Sequence, residues 1–223
     1  ANVVMPSRDV LNDFIATGTQ IPSGSLPETN GELTMEDLVL SPTINPFGTV
    51  DAAGIYWLDA GGAAVRISHC RLDATLAIRN ATIIKVKGGI NWSYPLTPGA
   101  ILVSDSDIRF DEIEATLNEV DRATNFNPIA SPYRLNAANS NTTDIYPTEL
   151  RGVIYTSGNV RVNPMTNDAP LRLTGAIACQ NLRVWGHLSI THLDELISDP
   201  AVGLSDPTPM RFIRGTQRRI PSP

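Results

Sequence analysis

Apolar residues along this chain fall into two regimes. Near the start, Val10, Leu11, Phe14 and Ile15 recur on one helical face, with Ser7 as N-cap and Gly18 as the stop. From Gly31 onward the period shortens. Leu33, Met35, Leu38 and Leu40, then Ile55-Tyr56-Trp57-Leu58, Val65-Arg66-Ile67-Ser68, Leu76-Ala77-Ile78 and Ile83 through Lys87 read as short strands. Gly61-Gly62 and Gly88-Gly89 punctuate them as turns. Residues 100–110 read as one more strand region, with Ser104, Ser106, Ile108 and Phe110 on one face and Asp105, Asp107 and Arg109 on the other.

A second helix is predicted over 111–122. Ile113, Leu117 and Val120 supply its apolar stripe, and Asp111, Glu112 and Glu114 sit in its first turn. Residues 125–148 form a long polar loop over the surface, with Pro128, Pro132 and Pro147. Thr191 is read as the N-cap of a short helix carrying Leu193, Leu196 and Ile197, and 203–223 as an extended, proline-rich tail.

The most informative stretch is an internal repeat. Gly152-Val-Ile-Tyr-Thr-Ser-Gly-Asn-Val-Arg-Val162 aligns with Gly175-Ala-Ile-Ala-Cys-Gln-Asn-Leu-Arg-Val184, at a spacing of 22 to 23 residues. That is the length of one coil of a parallel β-solenoid, in which equivalent side chains stack as ladders. Ile154 with Ile177, Val160 with Leu182 and Val162 with Val184 are the expected inward ladders. The pattern predicts an all-β chain, a single-stranded right-handed parallel β-helix with a few short helices. Residues 1–223 form one domain on this reading, with 1–18 as a capping helix and 31–192 as the coils. A β-sandwich with similar hairpins is the alternative.

Over Leu150-Arg-Gly-Val-Ile-Tyr-Thr-Ser-Gly-Asn-Val-Arg-Val162 and Leu173-Thr-Gly-Ala-Ile177 the chain resembles the β-helical ectodomains of bacterial envelope proteins. These include the extracytoplasmic parts of PilX-like pilus-assembly proteins and planctomycete surface proteins. The resemblance covers about 45 residues. It implies a structural or assembly role at the cell envelope, with other envelope or pilus-type proteins or a surface polysaccharide as partners. It brings no catalytic residues. It also implies an apolar segment before Ala1 that exports or anchors the domain, the only membrane contact expected.

Composition agrees with that compartment. Charged residues are 18% of the chain, Lys85 and Lys87 are the only lysines, and Asn, Thr, Ser and Pro are abundant. The formal net charge is −6, which argues against nucleic acid as a partner. Arg211, Arg214, Arg218 and Arg219 read as a solvated tail. Cys70 and Cys179 lie outside any C-x-x-C motif and are read as two buried thiols, with a pair across 109 positions as the alternative.

No catalytic or cofactor motif is found. His69 adjoins Cys70, but neighbouring strand residues face opposite sides, and His187 and His192 lack zinc-ligand spacing. Asp105 and Asp107 alternate along a strand and Asp111 then caps a helix, unlike a calcium loop, and all three are read as a solvated face. No enzyme, cofactor or metal is expected. Tyr56, Trp57, Trp92, Tyr94 and Trp185 are the candidates for stacking on sugar rings, which makes carbohydrate binding or adhesion the alternative function. A polysaccharide lyase or hydrolase follows only by fold analogy. It requires a side groove holding two convergent carboxylates and a basic residue.

Overall fold

The computed structural model describes residues 9–95, 99–135, 137–163 and 170–194. It is mostly β, with a 14-stranded, predominantly parallel sheet and a separate two-stranded pair. Strand neighbours in the large sheet fall into three ladders, which the chain visits in turn.

The first ladder joins Thr19–Gln20, Ile55–Asp59, Thr75–Arg79, Ala100–Ser104, the second half of Glu149–Thr156 and Leu171–Ala178. The second joins the first half of Glu32–Leu40 with those of Ala64–Asp73 and Ile84–Ser93. It continues through Ile108–Ile113, Asn159–Val162 and Asn181–Val184. The third runs through 38–40, 70–73, 90–93, 149–151, 171–174 and Leu188–Thr191.

Long strands pass from the second ladder to the third at a bend. Asp37, His69, Gly88 and Glu112 occupy that bend in successive passes, all with positive φ (53°, 50°, 65° and 50°). The extra residue breaks the two-residue alternation, so Leu33 and Met35 and then Leu40 all reach the core. His69 lies where a Gly88 side chain would otherwise go: a Cβ on Gly88 would overlap its imidazole.

Asp37 is costly at this corner. Its Oδ1 is buried without a hydrogen-bond partner, and Arg122 Nε approaches only to 3.9 Å. Burial raises the Asp37 carboxyl above its usual range, against smaller opposing pulls from His69 and Arg122. A raised carboxyl favours the fold below its ordinary value of 3.8 and loses that contribution as pH climbs. Asp37→Asn, neutral throughout and tolerant of positive φ, is therefore expected to be more stable than the parent at pH 7 and equal to it at pH 3. The gain should stay below about 1 kcal/mol, because the side chain as a whole is still 35% exposed. Urea melts at the two pH values check it, and a loss at pH 7 contradicts it.

The core lies between the ladders. Val65, Ile67, Ile84, Val86, Ile108, Phe110, Val160 and Val162 are buried along the second, and Leu72, Trp92, Leu150 and Leu173 along the third. The repeat read from sequence keeps its register: Gly152 pairs with Gly175, Ile154 with Ile177, Val160 with Leu182 and Val162 with Val184. Ile154, Val160 and Val162 are buried. Ile177 is only partly buried, and Leu182 and Val184 are exposed, because among the described residues no strand follows on their far side.

Three local expectations need correction. The stretch 111–122 is not one helix. Asp111 and Ile113 pair with Lys87 and Gly88, Thr116–Asn118 pairs antiparallel with Ile145–Pro147, and only Glu119–Arg122 is helical. Pairing to an existing ladder overrides the helical stripe, and Val120 is left exposed. The first helix, Asp9–Thr17, does not sit over an end of the strands. It lies along the outside of the first ladder, with Val10, Leu11 and Phe14 on the outward Ala77, Val103 and Tyr155. Small or flat outward residues leave room for it there. The loop 125–148 belongs to a packed excursion, 114–148, whose Leu117, Phe126 and Tyr146 bury against Val39. The helix expected after Thr191 falls largely outside the described residues, as do 1–8 and the tail 203–223; Thr191 itself ends a strand. No helix among the described residues is long and apolar enough to cross a membrane.

Candidate functional site

Alternation along the third ladder sends every second side chain outward. Around inward Leu72, Trp92 and Leu150 the outward neighbours form two files of three: Arg71, Asn91 and Glu149, and beside them Asp73, Ser93 and Arg151. Polar side chains thus stack on three consecutive rungs, at the strand spacing of ~4.8 Å.

The excursion settles on the first file. Arg71 is fully buried beneath it and donates to the Phe126 carbonyl at 2.7 Å, to the Ser131 carbonyl at 2.6 Å and to the Ser131 hydroxyl. Asp73 balances its charge at 3.0 Å. Burial pulls the Arg71 guanidinium below its usual range, and Asp73 offsets part of this. Within the excursion a second buried charge, Glu119, accepts from the backbone N–H of Phe126 (2.6 Å) and Asp144 (3.0 Å) and from the Tyr146 hydroxyl (3.0 Å). Burial, and hydrogen bonds to the Asp144 and Glu119 carboxylates, push the Tyr146 hydroxyl well above its ordinary range, so it stays a donor.

Beside Tyr133 and Arg134 of the excursion, a cleft of about 420 Å³ opens. It is lined by Asp73, Asn91, Ser93, Tyr94, Tyr133, Arg134, Glu149 and Arg151. Ser93 donates to Asp73 at 2.7 Å, and Asn91 donates to the Pro147 carbonyl at 2.9 Å. Arg134 pairs with Glu149 and stands 5.1 Å over the Tyr133 ring; Arg151 stands 5.9 Å from the centre of Tyr94. Arg134 holds positive φ (47°), an uncommon state for a non-glycine residue that costs roughly 1 kcal/mol. The Tyr133 hydroxyl is buried without a partner in the protein. Flat aromatic faces and planar polar groups around this cleft suit a polyhydroxylated ligand. Both carboxylates already accept hydrogen bonds from neighbouring donors.

The five aromatics singled out from sequence do not converge. Tyr56 and Trp92 are core residues, which corrects their candidacy: Tyr56 donates to the Ser41 carbonyl at 2.7 Å, and Trp92 Nε1 to the Ala74 carbonyl at 2.8 Å. Trp57 lies on the outside of the first ladder under Arg79, 5.2 Å away, and Trp185 is exposed at the far end of the second. Tyr94 alone reaches the cleft. Sequence reasoning missed its companions. The signal lay in the triplets Arg71-Leu-Asp73, Asn91-Trp-Ser93 and Glu149-Leu-Arg151, polar on both sides of a core residue.

The acidic run is not simply solvated. Asp105 accepts the Asn80 N–H at 3.1 Å, Asp107 accepts the Asn159 N–H at 2.9 Å, and Asp111 is buried in a pair with Arg109. These carboxylates tie one rung to the next, Asp111 by accepting from the Asn163 side-chain amide. Cys70 and Cys179 are free thiols; burial pushes Cys70 up to about 12 and raises Cys179. Comparison with protein-family models, with curated proteins and with solved structures found no match.

Proposed function

We propose that the three ladders wind as a single-stranded, right-handed parallel β-helix. On this reading the protein is a non-catalytic domain of the bacterial cell surface that binds a saccharide chain on its third side. The observation that carries it is the cleft, where Tyr94 and Tyr133 stand among Asp73, Asn91, Glu149, Arg134 and Arg151. A pyranose ring offers an apolar face to an aromatic side chain and a rim of hydroxyls to paired donors and acceptors. The rungs below are fixed by backbone pairing, so the polar files are held ready before any ligand arrives. A continuous ladder surface also suits an assembly role, with surface polysaccharide as partner.

Binding is favoured over cleavage by the wiring of the acids. A general acid must carry a proton toward the leaving oxygen and have room to move it. Asp73 is held by Arg71 and Ser93, and Glu149 by Arg134.

The test is a glycan array followed by calorimetry on the best ligand. Tyr94→Ala and Tyr133→Ala are each expected to weaken binding by about tenfold, the worth of one stacked ring at ~1.4 kcal/mol. Trp185→Ala, remote from the cleft, should leave it unchanged. The bound polysaccharide should show no new chain ends after prolonged incubation. Absence of any ligand, or a ligand indifferent to both tyrosines, defeats the reading.

A further inference from the structure

The two outward files of the third ladder extend beyond the cleft in both directions, and their exposure changes steadily along the way. Ahead of the cleft, Val39 pairs with Arg71 and Leu40 with Leu72, so Val39 and Ser41 are the next outward positions. They are 6% and 1% exposed. Val39 lies beneath the excursion with Leu117, Phe126 and Tyr146. At Ser41 the chain turns back, bridging to Ile44, and the Thr43 hydroxyl in that turn donates to the Ala130 carbonyl of the excursion. Pro42 and Pro95, the residue after Tyr94, both close on Gly54. Two loops and the excursion therefore wall off this end of the cleft.

Past the cleft the same files run into the open. Arg151 pairs with Thr174 and Thr174 with Thr191, while Arg172 pairs with Ser189. In the first file Arg71 and Asn91 are buried, Glu149 is partly exposed, and Arg172 and Ser189 are exposed. In the second, Ser41 is buried, Asp73, Ser93, Arg151 and Thr174 are partly exposed, and Thr191 is exposed. The cover thins rung by rung in one direction only.

We infer that this lane, blind at one end, takes the end of a saccharide chain and not its middle. The inference rests on the saccharide reading of the cleft and adds the form of the ligand. The terminal sugar seats beside Tyr94 and Tyr133, against the wall. The following sugars leave over Arg172 and Thr174, then over Ser189 and Thr191. Rungs stand ~4.8 Å apart, close to the length that one pyranose adds to a chain, so successive sugars meet successive rungs. Arg172 offers a planar fork of donors to a carboxylate or to paired hydroxyls on a sugar outside the cleft. A chain bound through its middle would have to continue across the rung of Val39 and Ser41, which the excursion and the Ser41 turn already fill.

Equilibrium binding to the full chain tests this, with galacturono-, cello- and chito-oligosaccharides from disaccharide to octasaccharide and with their parent polymers. In a series that binds, affinity should climb by about tenfold or more between disaccharide and pentasaccharide and then level off. Sedimentation should find one protein per polymer chain, whether the polymer is short or long. Arg172→Ala should weaken pentasaccharide binding by about threefold, the worth of one hydrogen bond, and leave disaccharide binding unchanged. Protein bound per chain that rises with polymer length, or an Arg172→Ala loss that is equal for disaccharide and pentasaccharide, overturns the inference; if Tyr94→Ala still weakens binding in that case, the saccharide reading stands without it. Failure of every series to bind defeats the saccharide reading, and this inference falls with it.

Discussion

Gly175→Ala is expected to cost about 3–5 kcal/mol, more than any other single methyl added to this chain. Gly175 and its partner Gly152 sit at the bend from the third ladder to the first, with φ of 151° and 140°. A Cβ on Gly175 would overlap the Gly152 carbonyl oxygen and lie 2.7 Å from its carbon. Gly152 in turn approaches the Gly99 carbonyl, with its Cβ position 2.7 Å from that oxygen. The obstacle is backbone on both levels, so no side-chain rotation relieves it. Alanine also resists this φ. Gly24→Ala is the control, because its Cβ meets nothing within 4 Å. Chemical denaturation of the two variants should differ by several kcal/mol; a Gly175→Ala loss under about 1 kcal/mol would show that the two bends are not stacked.

Arg71→Ala is expected to cost about 3–5 kcal/mol for a different reason. The guanidinium is fully buried, and its loss orphans the Phe126 and Ser131 carbonyls and leaves Asp73 without its cation. Arg71→Met restores much of the volume yet supplies no donor, so it should recover less than half of the loss. The damage should be local. Limited proteolysis should cut within 114–148 while the ladders stay protected, and saccharide binding should fall because Tyr133 and Arg134 come from that segment. Uniform melting with no preferential cleavage would mean that Arg71 supports the core rather than the excursion.

Reading the fold from the sequence worked where chemistry repeats at a fixed interval. Gly152-Val-Ile and Gly175-Ala-Ile, with Asn-Val-Arg-Val and Asn-Leu-Arg-Val, fall in register because each demand is local: a bend only glycine tolerates, then alternate apolar positions. The misread helix at 111–122 shows the limit. Ile113 faces the main core while Leu117 joins the cluster under the excursion, so a spacing of four arose from two separate burials. The cleft was hidden for a related reason. Its files join residues 73, 93 and 151, and the excursion falls between the last two, erasing any regular spacing. Arg71 was the least legible residue of all. A cation flanked by Cys70 and Leu72 looks like an ordinary outward strand position until something settles on top of it.

The excursion leaves and rejoins the ladders at nearly one point. Glu114 N–H bonds the Gly88 carbonyl at 3.2 Å, and Thr148 N–H bonds the Ala115 carbonyl at 3.0 Å. Across the gap, Ile108 still pairs with Val160 and Leu102 with Ile154 as if nothing intervened. The insert is therefore a cassette. Its length and lining can be exchanged wholesale while the scaffold keeps its register, provided that Arg71 and Val39 are recoded to suit the new cover. Scaffold and excursion are free to diversify at different rates, as a handle does from the blade it carries.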